Sequence, residues 1–363
     1  MIVVCDLHAG GAEKVALQLV GGLVGRGFEF VLCPVKPGGV LAADFRKAGA
    51  EVTDPIACCR FDPVAPFRVA RTIRRRGIQA IMLLDVTRNA MFHGFLGARL
   101  SGKDLLKICW CHSPLGGTAG DFTARLRRYA GAFGLDALVC TSRHERRKLI
   151  RTGLDRHRTV AIHNGIDLSR FEGAPPCELP LPAGKKIIVQ VANFMPHKDH
   201  ATLIAAAGRL AAARDDFHLL LVGRGTDSAK LQEGIAGAGL SGRATLAGYR
   251  DDVPGILVAS HVFVLSTHYE AFSLAALEAM AAGLPLVVSD IPAFDEMFGH
   301  EREGLKVPCG DAESLAGAIG RLLDDVDLRQ RFGAAGRRRV EQFSAEHMSL
   351  DFERLLRALE RGG

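Results

Sequence analysis

Two glutamates eight residues apart, Glu270 and Glu278, are the side chains whose type and spacing most directly suggest chemistry. Glu278 is the only charge in residues 273–282, a stretch of Ser, Leu, Ala and Met that reads as a helix stopped by Gly283. A helix apolar on every side is expected to be buried, and a buried, unpaired carboxylate costs several kcal/mol or takes up a proton. Glu278 therefore needs a partner. A vicinal diol such as a ribose fits, because an ionised carboxylate offers two acceptor oxygens to two hydroxyl donors; a buried arginine or a backbone group would serve structurally. Glu270 stands just ahead of the helix, whose N-terminus carries unpaired N–H groups and partial positive charge, a natural seat for phosphate.

Other candidates lie where apolar runs end. Gly10 and Gly11 allow close backbone approach to a phosphate. His112 could polarise a hydroxyl or satisfy a backbone group. Lys198 heads a helical stretch, 199–213, which would put its ammonium over a bound phosphate, although a surface lysine reads the same way. Gly223, Arg224 and Gly225 lack the third glycine of a dinucleotide fingerprint. Asn193 opens the segment that ends at Lys198, and Tyr249 and Arg250 lie in the polar stretch 248–251.

The elements that must position these groups alternate. Apolar runs at 2–5, 28–33, 80–84, 107–111 and 137–140 read as strands separated by helical pattern, and the scheme repeats at 187–191, 218–222, 244–246, 261–265 and 286–288. Alternating β and α implies parallel sheets covered on both faces, so the expected fold class is α/β with two doubly wound, Rossmann-like domains. Ligands in such sheets bind beyond the carboxyl ends of strands. The candidates fall at those ends in both halves, which predicts a site in the cleft facing both.

With 363 residues the chain exceeds one usual core. The join is expected between Asn164 and Lys185, interrupted by Pro and Gly, giving domains 1–168 and 169–344. The last helical stretch, 345–363, is expected to pack back on the first domain. Nine cysteines follow no C-x-x-C framework, which points to reduced thiols and no zinc site. The start has no basic n-region, and no apolar stretch approaches a membrane span, so a soluble, cytoplasmic protein is expected.

The charge is unevenly divided: residues 1–170 hold 26 Lys and Arg against 14 Asp and Glu, the remainder 20 against 26. Clusters at Arg68, Arg71, Arg74, Arg75 and Arg76, at Arg125, Arg127 and Arg128, and at Arg143, Arg146, Arg147, Lys148 and Arg151 suggest an anionic membrane surface as partner, with peripheral attachment to the inner face of a membrane. Nucleic acid is disfavoured, because the clusters lack interleaved aromatics.

Taken together, Gly10-Gly-Ala-Glu13, His163-Asn-Gly-Ile-Asp167, Lys198-Asp-His, Val222-Gly-Arg-Gly225, and Glu270 with Glu278 followed by Gly283-x-Pro285 resemble the GT-B glycosyltransferases of glycosyltransferase family 4, which retain configuration and use nucleotide sugars. The resemblance spans nearly the whole chain and is more specific in the second half. It implies that Glu270 contacts hydroxyls of the donor sugar, Glu278 the ribose, Lys198 and Gly11 the diphosphate, and His112 the sugar near the reacting carbon. The implied donor site extends over Gly10, Asn193, Gly223, Arg224, Tyr249, Arg250, Ala271, Phe272, Ser273 and Leu274. The family commonly has Arg where this chain has Asn193, with Arg224 available to compensate.

The resemblance further implies a UDP- or GDP-sugar as co-substrate, no metal and no other cofactor. The acceptor is expected to be a saccharide or lipid-linked intermediate of lipopolysaccharide or surface polysaccharide. Two rival functions are a sugar-nucleotide epimerase of similar shape, which would convert donor without acceptor, and a non-catalytic nucleotide-sugar sensor.

Overall fold

The computed structural model describes residues 1–8, 10–59, 62–84, 88–112, 119–175, 177 and 179–362. The chain divides into two units, Met1–Asp167 with Ser344–Gly363, and Leu168–Phe343. In the first, β1 (Ile2–Val4), β2 (Val31–Pro34), β3 (Glu51–Val52), β4 (Ala80–Leu84), β5 (Leu106–Cys111), β6 (Ala137–Cys140) and β7 (Thr159–Ala161) form a parallel sheet in the order 3-2-1-4-5-6-7. Helices α1 (Gly11–Val24), α2 (Ala42–Lys47), α3 (Ala65–Arg76), α4 (Arg88–Leu100), α5 (Ala119–Phe133) and α6 (Arg143–Arg151) make the crossovers.

The second unit has β8 (Lys186–Val191), β9 (Phe217–Val222), β10 (Ala244–Leu246), β11 (Val262–Leu265), β12 (Leu286–Ser289) and β13 (Gly304–Val307), parallel in the order 10-9-8-11-12-13. Its helices are α7 (His200–Ala213), α8 (Ala229–Gly237), α9 (Val253–Val258), α10 (Leu274–Ala281), α11 (Pro292–Asp295), α12 (Ala312–Asp324) and α13 (Val326–Val340). Two doubly wound parallel sheets are what the alternating pattern predicts. The central strands are apolar because helices cover both faces: β9 and β11 are buried along their whole lengths.

The sheets have more strands than the apolar runs suggest. The additional ones, β3, β7 and β13, all lie at sheet edges. The run expected at 28–33 pairs only from Val31, as β2.

The chain leaves the first unit after Asp167 and returns at Ser344. A bridge between Ile166 and Ser344 and a 2.8 Å bond from Ala345 N–H to the Ile166 carbonyl tie exit and return together. Helix α14 (Ala345–Gly362) then packs along α1. Gly22 permits that approach, since a Cβ there would lie 2.1 Å from Ser349 Oγ. The anchor is Phe352, wholly buried, its ring edge-on to Trp110 of β5 at 4.5 Å.

Several arginines of the basic clusters are fasteners within the fold. Arg68 Nη1 donates to Asp62 and to the Ile56 carbonyl, Arg74 to the carbonyls of Ser101 and Leu100, and Arg76 pairs with Glu51. In α6, Arg146 donates to the carbonyls of Thr159 and Arg156. The side chain of Arg125 lies outside the described residues, as do Ser113 and Pro114 after His112. No described helix is long and apolar enough to cross a membrane.

Truncating Phe352 leaves a hole under α14 against the floor that Trp110 forms. Phe352→Ala is expected to lower the unfolding free energy by about 3–5 kcal/mol, read by urea denaturation.

Candidate functional site

In the second unit the strand order decides which loops become neighbours. Reading β10, β9, β8, β11 across the sheet, the segments beyond their carboxyl ends are 247–252, 223–228, 192–199 and 266–273. These contain the sequence candidates of this half from Asn193 to Ser273, now in one row, and Leu274 and Glu278 follow on α10.

Lys198 and Glu270, 72 residues apart, meet because β8 and β11 are paired. The Lys198 ammonium donates to Glu270 Oε1, and both side chains are largely withdrawn from water, 19% and 11% exposed. The surrounding bonds fix both loops. His197 accepts at its carbonyl from His268 N–H at 2.8 Å and from Thr267 Oγ1 at 2.9 Å, and its ring stacks on Tyr269 at 4.6 Å. Ser266 Oγ donates to the Asp199 carbonyl at 2.8 Å.

Lys198 does not head the helix as its place in the sequence suggests. It closes a 3-10 turn, Pro196–Lys198, and α7 begins only at His200. Asp199 makes the change of direction with φ 43°, a left-handed conformation that a short polar side chain tolerates by bonding locally. Its carboxylate accepts from Thr202 N–H and Thr202 Oγ1 at 3.2 and 2.6 Å and meets His268 Nε2 at 3.2 Å. The ammonium is thereby aimed across at Glu270.

Asn193 has a role that its type alone did not reveal. Its Oδ1 accepts from Arg224 N–H at 3.0 Å, and Phe194 N–H donates to the Arg224 carbonyl at 2.8 Å, so the loops after β8 and β9 are buttoned together. Gly223 is required there: at φ 144° a Cβ would stand 2.2 Å from the Ala192 carbonyl oxygen. On its other side Gly223 N–H donates to the Gly248 carbonyl at 2.8 Å, and Gly248 N–H donates to Thr226 Oγ1 at 3.1 Å. Arg224 is exposed and lies over the half-exposed Tyr249 ring, 5.4 Å from its centroid. The guanidinium of Arg250 pairs with Asp252 through two 2.8 Å bonds.

The helix after Glu270 starts at Leu274, with Ser273 as N-cap; Ser273 Oγ accepts from Ala276 N–H at 3.3 Å. This leaves Leu274 and Ala275 N–H without partners inside the helix. Ala271 and Phe272 are buried, and the Phe272 ring meets Phe343 at 5.4 Å. Gly283, at φ 77°, stops the helix as its sequence predicts, with Leu284 N–H bonded back to the Ala279 carbonyl at 2.9 Å.

Glu278 corrects an expectation. The helix is not apolar all round: Leu274, Ala275, Glu278 and Ala281 form a half-buried stripe while Ala276, Leu277, Ala279 and Met280 face the core. Glu278 therefore escapes the full cost of burial.

In the first unit, Gly10 caps α1 from an extended conformation and Gly11 is the helix's first residue. Gly10 has no side chain to bond the cap, and the Glu13 carboxylate lies close beside it, since a Cβ on Gly10 would meet Glu13 Oε2 at 2.2 Å. His112 follows β5, with its ring 4.5 Å from Trp110, which rests in turn on Phe352. Its Nε2 is sealed from solvent with no hydrogen-bond partner among the described residues, and desolvation pulls its pKa down to about 3. The imidazole is therefore neutral at ordinary pH.

Sequence reasoning missed His197, Asp199, Thr267, His268 and Tyr269, the residues that hold the Lys198–Glu270 pair. Only Asp199 carried a signal, an N-cap type three residues ahead of Thr202. Among the described residues no group of three His, Cys, Asp or Glu is arranged to hold a metal.

Known structures share this architecture. A glycosyltransferase from Rickettsia africae ESF-5 superimposes with a TM-score of 0.85, covering 100% of this chain and 98% of its own at 19% identity. Anabaena Alr3699/HepE, solved with UDP and glucose, gives 0.83 over 98% of each chain at 17% identity. The fold is GT-B. Two family descriptions match in tandem, Glycosyltransferase Family 4 over residues 9–170 and Glycosyl transferases group 1 over residues 177–339. The chain belongs to the GT-B glycosyltransferases of the family 4 type, and it is an enzyme of that class. Its relatives include the lipopolysaccharide core biosynthesis glycosyltransferase LpsE of Rhizobium meliloti (strain 1021), 29% identical over 96% of each chain. Another is the phosphatidyl-myo-inositol mannosyltransferase of Mycolicibacterium smegmatis, 26% identical over 98% of this chain and 92% of that one.

Two measurements test this geometry. A methyl group at Gly223 forces the buttoned loops apart, so Gly223→Ala is expected to cost about 2 kcal/mol or more in chemical denaturation, since both strain and a backbone clash are introduced. His112 gives a pH signature. An unfolded histidine protonates near 6.5 but the folded one only near 3, so the unfolded state binds more protons between these values, and stability falls as pH drops through that window. Urea-unfolding free energies measured from pH 7 to 4 are expected to fall less steeply in His112→Gln, by about 1 kcal/mol per pH unit below 6.5.

Proposed function

We propose that this enzyme transfers a sugar from a nucleoside diphosphate sugar to a hydroxyl of a lipid-linked saccharide or lipopolysaccharide intermediate, with retention of anomeric configuration. The observation that carries the reading is the paired Lys198 and Glu270 at the start of α10, in line with Arg224 and Tyr249. The acceptor class is suggested by relatives named for lipopolysaccharide core and phosphatidylinositol mannoside synthesis. The donor class is suggested by the fold's likeness to Alr3699/HepE, which has been solved with UDP-glucose.

The chemistry follows from the charges. As the bond from the anomeric carbon to the β-phosphate oxygen breaks, negative charge grows on that phosphate. A donor diphosphate competes with Glu270 for the Lys198 ammonium. Once Lys198 turns to phosphate, Glu270 gains acceptor capacity for the hydroxyls of the transferred sugar, so one exchange of partners serves leaving group and sugar together. The Leu274 and Ala275 amides add a positive helix end for the diphosphate. Glu278, on the same helix, accepts from the ribose diol. Tyr249 provides a ring for the base, and Arg224 supplies the cation that Asn193 cannot.

We propose for the first unit that the α1 start at Gly10 and Gly11 is a further phosphate seat and that neutral His112 accepts a hydrogen bond from a sugar hydroxyl. In the family-type reaction the departing phosphate takes the acceptor's proton on the face where the acceptor attacks. Cationic and amide groups of the protein supply the charge stabilisation, with no metal ion assigned a part.

The test is nucleotide release with a screened donor and acceptor. Lys198→Ala is expected to lower kcat by about 10²- to 10³-fold, the worth of one preorganised charge donor. Proton NMR of the product should show the donor's anomeric configuration kept. Near wild-type turnover of Lys198→Ala, or conversion of donor without acceptor, would overturn the reading, the second in favour of an epimerase.

A further inference from the structure

Helices α7 and α8 carry the chain from β8 to β9 and from β9 to β10, whereas α10 joins β11 to β12 in the opposite direction along the sheet. Right-handed crossovers therefore put α7 and α8 on one face and α10 on the other. Between α7 and α8 lies a solvent-facing groove of about 900 Å³. It ends where the two helices touch, since a Cβ on Gly208 would lie 2.9 Å from the Ala238 carbonyl oxygen. Toward the start of α7 it is lined by Phe194, Met195 and Pro196, which belong to the loop that carries Asn193 and Lys198. The groove thus backs one of the candidate loops from the face away from α10.

Its walls are short. Ala201 and Ala205 of α7 and Gly234 and Gly237 of α8 line it above buried Ile204 and Leu231. Side chains this small leave a slot, and a slot takes a flat body. An aromatic corner stands at one end, where the Phe194 and His200 rings meet at 5.4 Å and 89°. Phe194 is fixed by its N–H bond to the Arg224 carbonyl and by Gly225, on which a Cβ would lie 3.3 Å from the Phe194 Cβ. His200 is 2% exposed, and neither ring nitrogen has a hydrogen-bond partner among the described residues. Burial lowers its pKa to about 4 despite the Ala192 backbone nearby, so the ring is neutral at ordinary pH. A neutral imidazole offers one donor and one acceptor. Leaving both unused inside the protein is a cost that a hydrogen bond from a ligand would offset.

The charge left at the rim is positive. Asp199, Arg209 and Lys230 line the groove, and the Asp199 carboxylate is engaged with Thr202 and His268. Arg209 is exposed and lies near Asp311. Lys230 is exposed too, with its ammonium 5.9 Å from the centroid of the Phe194 ring, so it is the cation beside the aromatic corner. We propose that the groove between α7 and α8 is a second ligand site, one that takes a planar aromatic acid bearing a hydroxyl group. The ring system lies in the slot against Phe194, the hydroxyl bonds the buried His200, and the carboxylate meets Lys230 at the rim. An aliphatic chain would use neither the aromatic corner nor the imidazole. The site stands apart from the donor reading, which concerns the loops as they face α10.

The test is isothermal titration calorimetry of the full chain with 6-hydroxy-2-naphthoate, which is expected to bind with Kd below about 1 mM. 2-Naphthoate, lacking the hydroxyl, should bind about tenfold more weakly. In His200→Phe, which keeps a ring but removes both nitrogens, the two probes should bind alike. Lys230→Ala should weaken both by about tenfold. Gly234→Leu should abolish binding by filling the slot, and the fold accepts it, because a Cβ there meets only Ile204 Cδ1, at 3.6 Å. Thermal melts followed by circular dichroism establish that each variant is folded. Saturating UDP or GDP should leave the titration unchanged. The proposal is overturned if wild type binds neither probe, if folded Gly234→Leu or Lys230→Ala binds as wild type does, or if the probes differ as much in His200→Phe as in wild type. Tighter binding of decanoate than of either probe, or displacement by the nucleotides, would overturn it as well.

Discussion

The ion pair between Lys198 and Glu270 is the constraint from which the second unit's functional geometry follows. Both groups are mostly out of water, and a pair in that position gains little stability over well-packed apolar side chains, because desolvation offsets most of the attraction. Its surroundings are nonetheless built to hold it. A 3-10 turn, a left-handed aspartate, a stacked histidine and tyrosine and hydroxyl bonds across two loops all serve to keep one ammonium facing one carboxylate. Such arrangements store charge where a charged ligand can exchange partners with it. The proposed transfer, whose leaving group is a diphosphate, would make that demand.

The neighbouring loops show the same economy of parts. Asn193 stands where a cation would be expected from the family resemblance, and its carboxamide instead positions the backbone of Arg224. The guanidinium of Arg224, on the loop one strand along the sheet, overlies Tyr249. In the first unit, His112 is stiffened from behind by Trp110 and Phe352, so a helix from the far end of the sequence backs a candidate residue near its first third. Burial keeps that imidazole neutral, which suits hydrogen bonding to a hydroxyl better than contact with a phosphate.

The arginines of the first unit divide by what their guanidinium groups touch. Those bonded to carbonyls and carboxylates finish helix ends and loops, and counting them as surface charge overstates the field outside. Of the remainder, Arg71 and Arg75 on α3 and Arg99 on α4 are exposed, as are Phe67 and Phe92 on the same helices.

The sequence alone determined the fold class, because central strands of a parallel sheet must be apolar throughout and their crossovers must be amphipathic, which leaves an alternation readable without coordinates. It also picked out Glu270, Lys198 and the glycine turns, since charge in an apolar stretch and glycine after a strand are local signals. It missed β3, β7 and β13, which are edge strands: each is short, and Glu51 in β3, Thr159 in β7 and Gly304 with Lys306 in β13 interrupt any apolar run. Tertiary structure alone decided that Lys198 turns to Glu270, that Arg250 is held by Asp252, that Glu278 is half open, and which arginines reach solvent. Those outcomes depend on which strand ends are neighbours and on competition among nearby partners, and neither is written in the spacing of residues along the chain.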